Sequence, residues 1–126
     1  MKSILFCCLS VLSFIACSNQ QNESLAWDTL HQALDSLYTH NFNAYIEFVD
    51  SSDVDKVGKD CFLASLKQKY LDNESELDSS CFTLENLEVY DNKSIVIYYS
   101  IYTDNKKKCY TQKMTNHNGK WKLKFN

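Results

Sequence analysis

Ile95-Val96-Ile97-Tyr98-Tyr99-Ser100-Ile101-Tyr102 is the segment on which the architecture turns. Ile95, Ile97, Tyr99 and Ile101 alternate with Val96, Tyr98, Ser100 and Tyr102. A period of two, carried by β-branched and aromatic residues, is the pattern of a strand. Both of its faces are apolar or aromatic, which places it in the middle of a sheet.

Working outward, Phe82 and Leu84 lie on one parity and Leu87 and Val89 on the other, so a bulge is expected near Glu85-Asn86. Downstream, Tyr110, Gln112 and Met114 share a face. Lys120-Trp121-Lys122-Leu123-Lys124-Phe125 is a half-buried alternation. Asn118-Gly119 is a strong two-residue hairpin turn; it puts Leu123 opposite Met114 and Phe125 opposite Gln112. A two-residue turn at Asn105-Lys106 puts Ile97 opposite Met114 and Ile101 opposite Tyr110. One inward face then holds Ile95, Ile97, Tyr99, Ile101, Tyr110, Gln112, Met114, Trp121, Leu123 and Phe125.

Before this meander the period is helical. Trp27, Leu30, Leu34 and Leu37 recur at steps of three and four, with Ala33 and Tyr38 beside them and Ser24 as a cap. His40-Asn41 ends that helix. A short second one carries Phe42, Tyr45, Ile46, Phe48 and Val49. A third is expected from near Asp53 to Leu71, with Val57, Cys61, Phe62, Leu66 and Tyr70 inward and Gly58 weakening its start. The fold class is α+β: two or three N-terminal helices packed on the concave face of a curved four-stranded antiparallel meander.

Charge and composition narrow the function. The chain has no Arg and no Pro, and two Gly. Without the guanidinium fork that reads phosphates and bases, nucleic acid is not an expected partner. No cofactor is implied. The three His have no Cys or paired carboxylate at useful spacing, and the Cys spacings fit no zinc site, so no metal is expected. The acidic stretch Asp72, Glu74, Glu76, Asp78 lacks the Gly and spacing of a calcium loop and reads as a solvated linker.

The N-terminus carries the sharpest motif. Lys2 precedes an apolar run from Ile4 to Ile15, followed by Ala16 and Cys17. A positive start, a short apolar core and a small residue form an export signal, too short to span a bilayer. With Cys17 next, it resembles a bacterial lipoprotein signal, in which that Cys is acylated and becomes the first residue. Phe14 and Ile15 stand where that signal more often has Leu and a small residue. The resemblance implies a signal peptide over 1–16, a lipid-anchored tether over 17–23 and one domain over 24–126. It places the protein in the cell envelope, bound to the membrane through its N-terminal lipid.

The order of elements resembles the nuclear transport factor 2-like superfamily, a cone of helices held in a curved sheet, and within it small bacterial lipoproteins with a domain of unassigned function. Three pieces carry the resemblance: Trp27 to Val49 with the turn Thr39-His40-Asn41-Phe42, the long helix before the meander, and Asn118-Gly119-Lys120-Trp121-Lys122. The first strand that many members place between the second and third helices is not visible. The superfamily holds both cyclase or isomerase enzymes and binding modules; its enzymes carry inward Asp, His or Tyr. Here the inward polar groups are Tyr99, Tyr110 and Gln112, so no catalytic residue carries over.

The expected function is a non-enzymatic binding domain for a small apolar ligand or an envelope protein. The alternatives are a cyclase- or isomerase-type enzyme with its site in the cone, and a structural accessory subunit of an envelope complex. Pocket candidates are Trp27, Tyr45, Tyr70, Tyr99, Tyr110, Gln112 and Trp121, set against plain core packing. Tyr98 and Tyr102, with Lys113, form an outward strip that suits a partner. Lys122 and Lys124 read as edge-strand guards. Of Cys61, Cys81 and Cys109, a Cys61–Cys81 bridge is the favoured pair, with three reduced thiols the other reading.

Overall fold

In a computed structural model of the chain, the described residues are 21–71, 77 and 79–125. The order is α1 (residues 21–38), α2 (Phe42–Glu47), α3 (Ser51–Val57), α4 (Lys59–Tyr70), a 3-10 turn (Ser79–Cys81), β1 (Phe82–Asp91), β2 (Ser94–Thr103), β3 (Lys106–His117) and β4 (Lys120–Lys124). The strands form one antiparallel meander in the order β1-β2-β3-β4. The helices pack on its curved face, an α+β arrangement. The signal segment, Cys17 and Asp72, Glu74, Glu76 and Asp78 lie outside the described residues.

Helix α1 is already formed at residue 21, so Ser24 lies within it rather than capping it, and residues 21–23 are helix rather than tether. Gln and Glu are good helix formers, and their polarity alone did not mark a boundary. Ala26, Leu30, Ala33, Leu34 and Leu37 are buried on one face. The helix stops where His40 turns to φ 66. The next side chain, Asn41, starts α2 by accepting from Ala44 N at 3.3 Å.

The expected third helix is two. Gly58, at φ 87 and ψ 144, ends α3 and precedes α4. The break turns the two segments out of phase. Val57 is therefore 56% exposed and Cys61 is exposed, contrary to expectation, while Leu66 is buried and Phe62 and Tyr70 are half-buried.

In the sheet, the bulge falls between Leu84 and Asn86. Its extra residue, Glu85, accepts from Ser100 Oγ at 2.7 Å and pairs with Lys107 Nζ at 2.8 Å. The β2–β3 turn is Asp104-Asn105, not Asn105-Lys106: Thr103 pairs with Lys106, Tyr99 with Tyr110 and Ile97 with Gln112. Both turn residues take positive φ, 50 and 62, as a type I′ hairpin turn demands. The slip is two residues, so every side chain keeps its face. Met114 does lie opposite Leu123. The ladder ends at Lys113–Lys124, one pair short of Gln112–Phe125.

Leu30 of α1 and Ile95, Ile97, Met114 and Leu123 of the sheet are fully buried in one hydrophobic cluster. Each contributes about 2 kcal/mol by leaving water. Trp121 is buried at 4% exposure, but Phe125 is 48% exposed and Tyr110 38% exposed. Both residues sit where the ladder or the helical cover runs out.

The free side of β4 is covered. Between α2 and α3 the chain runs beside it: Asp50 N donates to Leu123 O and Leu123 N to Phe48 O, each at 2.8 Å. Val49 and Leu123 thereby form an isolated parallel bridge. This single bridge between the second and third helices was invisible in the sequence.

Candidate functional site

Two clefts concentrate the chemistry. The first is apolar and aromatic, with a volume of about 190 Å³ between α2, α4 and the end of β4. Tyr45, Phe62, Leu66, Tyr70 and Phe125 form its walls, with Ser65 and Lys69 at the rim. Phe62 and Phe125 rings lie 6.4 Å apart. Lys69 Nζ stands 5.4 Å from the Tyr70 ring centroid, within cation–π range. Tyr38 meets Tyr70 edge-on at 5.7 Å, and Tyr99 stacks on Tyr110 at 5.5 Å. These phenols act on one another. Burial, then the neighbouring Tyr70 and Tyr110, pushes Tyr38 up to about 12. Burial raises Tyr45 and Tyr99 well above an ordinary phenol, with Tyr70, Tyr99 and Tyr38 adding to it at Tyr45, and Tyr38, Tyr70 and Tyr110 at Tyr99. All three are neutral hydroxyls across the physiological range.

Of the expected pocket residues, then, Tyr45 and Tyr70 line this cleft and Tyr99 and Tyr110 stand beside it. The others go elsewhere. Trp27 packs edge-on against His31 at 5.6 Å, which in turn meets Phe82. Gln112 Nε2 donates to Lys113 O and Lys124 O, at 3.0 and 3.1 Å, and ties down the β3–β4 pair instead of facing a ligand. Trp121 lies toward the other end of β4, lining a separate cleft with Leu25 and Phe48. Its indole Nε1 is a buried donor with no hydrogen-bond partner among the described residues.

The second cleft, about 320 Å³, lies at the edge of the sheet and was missed by sequence reasoning. Asp50, His117, Lys59 and Lys122 are among its lining residues. Asp50 is 6% exposed and caps α3. Its Oδ1 accepts from Ser52 N at 2.9 Å and Ser52 Oγ at 2.8 Å. Its Oδ2 faces His117 Nε2 at 2.9 Å, accepts from Thr115 Oγ1 at 3.4 Å and lies 3.9 Å from Lys124 Nζ. Burial works to raise the Asp50 carboxyl. The Ser52 and His117 hydrogen bonds and the Lys124 charge outweigh it, and hold Asp50 far below the usual carboxylate range.

Asp53 is equally buried. It accepts from Phe125 N at 3.0 Å and Lys124 Nζ at 3.1 Å. Here too burial raises the carboxyl, and these bonds bring it below its ordinary value. Lys124 also donates to Ser52 Oγ at 3.0 Å, and Lys122 Nζ donates to Glu47 O. Lys122 and Lys124 are thus clamps on α2 and α3 rather than edge-strand guards. The signal in the sequence was Asp50-Ser51-Ser52-Asp53, an N-cap acid with a second acid three residues on.

The remaining expectations resolve simply. Cys61, Cys81 and Cys109 are all free, so the favoured Cys61–Cys81 bridge is not formed: α4 turns Cys61 outward, and Cys81 is half-buried in the 3-10 turn. On the outer face, Tyr102 is exposed, and Tyr98 and Tyr90 hydroxyls both donate to Glu88 Oε2. No described helix is long and apolar enough to cross a membrane. No family model, curated protein or solved structure matches this chain.

Proposed function

We propose that this chain is a lipid-anchored, non-enzymatic domain of the bacterial cell envelope that binds a small apolar molecule in the Tyr45–Tyr70 cleft. The observation that carries the binding reading is the lining of that cleft. Tyr45, Phe62, Leu66, Tyr70 and Phe125 make it apolar, the Tyr45 phenol stays a neutral donor, and among the described residues its lining holds neither an acid nor a His. Apolar walls with a few placed hydroxyls are the usual make-up of a ligand site. The anchor rests on Phe14-Ile15-Ala16-Cys17. Membership of the nuclear transport factor 2-like superfamily belongs to the same proposal. Helices in a curved meander support it, as does the Val49–Leu123 bridge between the second and third helices.

The test has two arms. Mass spectrometry of the exported protein should find diacylglycerol on Cys17, and Cys17→Ala should abolish partition into detergent. Titration with the apolar fluorophore N-phenylnaphthylamine should give saturable one-to-one binding that weakens at least several-fold in Phe125→Ser. An unmodified Cys17 after export refutes the anchor. Binding indifferent to Phe125→Ser and to Tyr70→Ala refutes the cleft.

A second reading has one observation in its favour. His117 held by a buried carboxylate in a 320 Å³ cleft is the geometry of a proton acceptor in an enzyme. Against it, Asp50 already serves four donor groups, two of Ser52 that cap α3 and those of Thr115 and His117 that tie it to the last hairpin. Its structural role accounts for each bond it makes.

A further inference from the structure

We infer that the end of the domain built from the start of α1, the β1–β2 turn and the β3–β4 turn faces the bilayer, and that the aromatic cleft is presented away from it. The inference rests on lipid attachment at Cys17.

The start of α1 has a fixed address. Asn22 and Glu23 share a cleft with Val89, Asp91, Asn92, Ile95 and Trp121. Leu25 and Thr29 share another with Gly119, Lys120 and Lys122. So α1 begins beside both turns, and Lys93 O, which accepts from Asn116 N at 2.9 Å, joins one turn to the end of β3. At its other end α1 delivers Tyr38 to Phe82 and Tyr70, near where β2 turns into β3.

Length then excludes inversion. Four peptide units separate Cys17 from residue 21, and fully extended they reach about 14 Å. The 18 residues of α1, 21–38, span about 27 Å. If the β2–β3 end rested on lipid headgroups, residue 21 would stand about twice as far from them as the tether can reach. The turn end is the end the anchor holds down.

Charge does not compete with this. At the turn end Lys93, Lys120 and Lys122 are set against Glu23, Glu47 and Asp91, three charges of each sign, and His117 points to Asp50. The occupant of this surface is therefore the headgroup layer held against it by a short leash, with Leu25 and Val89 exposed apolar side chains beside it. Tyr70 stands at the far end of α1, so the Tyr45–Tyr70 cleft opens to the aqueous side. Its ligand arrives from solution, not from the protein's own bilayer.

The experiment uses the full-length, exported lipoprotein in phosphatidylcholine vesicles carrying a minor fraction of headgroup spin-labelled lipid. Cys61, Cys81 and Cys109 are replaced by Ser, and a fluorophore is placed by Lys93→Cys, Lys120→Cys or Lys106→Cys. The mature N-terminus of each sample is weighed by mass spectrometry. With Cys17 acylated, fluorescence should be strongly quenched at 93 and 120, and barely at 106, at low and at high salt. Equal or stronger quenching at 106 with Cys17 acylated overturns the orientation and leaves the anchor standing. Quenching at 120 that vanishes in high salt shows electrostatic docking and overturns the leash. An unacylated Cys17 overturns both the anchor and the orientation.

Discussion

Asp50 holds one layer to another. It caps a helix, accepts from Ser52 twice, and reaches Thr115 and His117 on β3. Asp50→Ala should cost about 2 kcal/mol, from a lost cap plus donors left unpaired. His117→Ala should cost less than about 1 kcal/mol, since its ring is largely in water. Urea midpoints at constant slope would measure both. The sign of the pH dependence follows from the lowered carboxyl. The unfolded state binds the proton more readily, so Asp50 stabilises the fold above the ordinary Asp value, about 3.9. That stabilisation is lost as pH falls below it. Asp50→Asn should flatten the acid limb of the stability profile, and an unchanged limb would show that other carboxylates govern it. This role was not legible in the sequence because a polar run such as Asp50 to Asp53 looks solvated until a second element arrives to bury it.

At the scale of elements, Gly58 is what makes two helices of one. Its φ of 87 with ψ 144 is a region that side-chain-bearing residues rarely enter. A Cβ placed there would meet nothing within 4 Å, so the constraint is the backbone alone. Gly58→Ala should therefore destabilise by about 1–3 kcal/mol without any clash, read from the shift in thermal midpoint. The tyrosines make the complementary prediction at high pH. Tyr38 titrates normally near 10.0 when unfolded but is pushed up to about 12 by burial and its phenol neighbours. The folded state keeps a proton that the unfolded state releases. Stability is thus complete below pH 10 and lost as pH rises from there toward 12. Phenolate absorbance and loss of helix signal should rise together in an alkaline titration. Phenolate formation that runs well ahead of unfolding would place these rings in water.

At the scale of the molecule, the three free thiols among the described residues predict that reducing agent leaves the unfolding midpoint unchanged, and that Cys61 and Cys109, both exposed, alkylate before Cys81. A shift of several degrees on reduction would mean that a bridge had formed. How much of this was legible in the sequence depends on the reach of each interaction. Strand order, the bulge at Glu85, the inward set Ile95, Ile97, Met114 and Leu123, and the α1 face follow from local period, because alternation and helical spacing are properties of neighbours along the chain. The two-residue slip at Asp104-Asn105 went unread because adjacent Asp and Asn residues satisfy a turn at either register. Tyr110 and Phe125 could not be placed, since the inward side of a strand is buried only as far as a helix covers it. Local pattern along the chain was enough for an α+β fold with a helical start and an antiparallel finish, and for a stretch before Cys17 that resembles an export signal. The tertiary structure alone decided that residues 48–50 close the β4 edge, that Asp50 and Asp53 meet a hairpin more than sixty residues away, and that Tyr45 and Tyr70 share a cleft with Phe125. Those are contacts between distant positions, made only when the core draws α2, α3 and α4 onto the sheet.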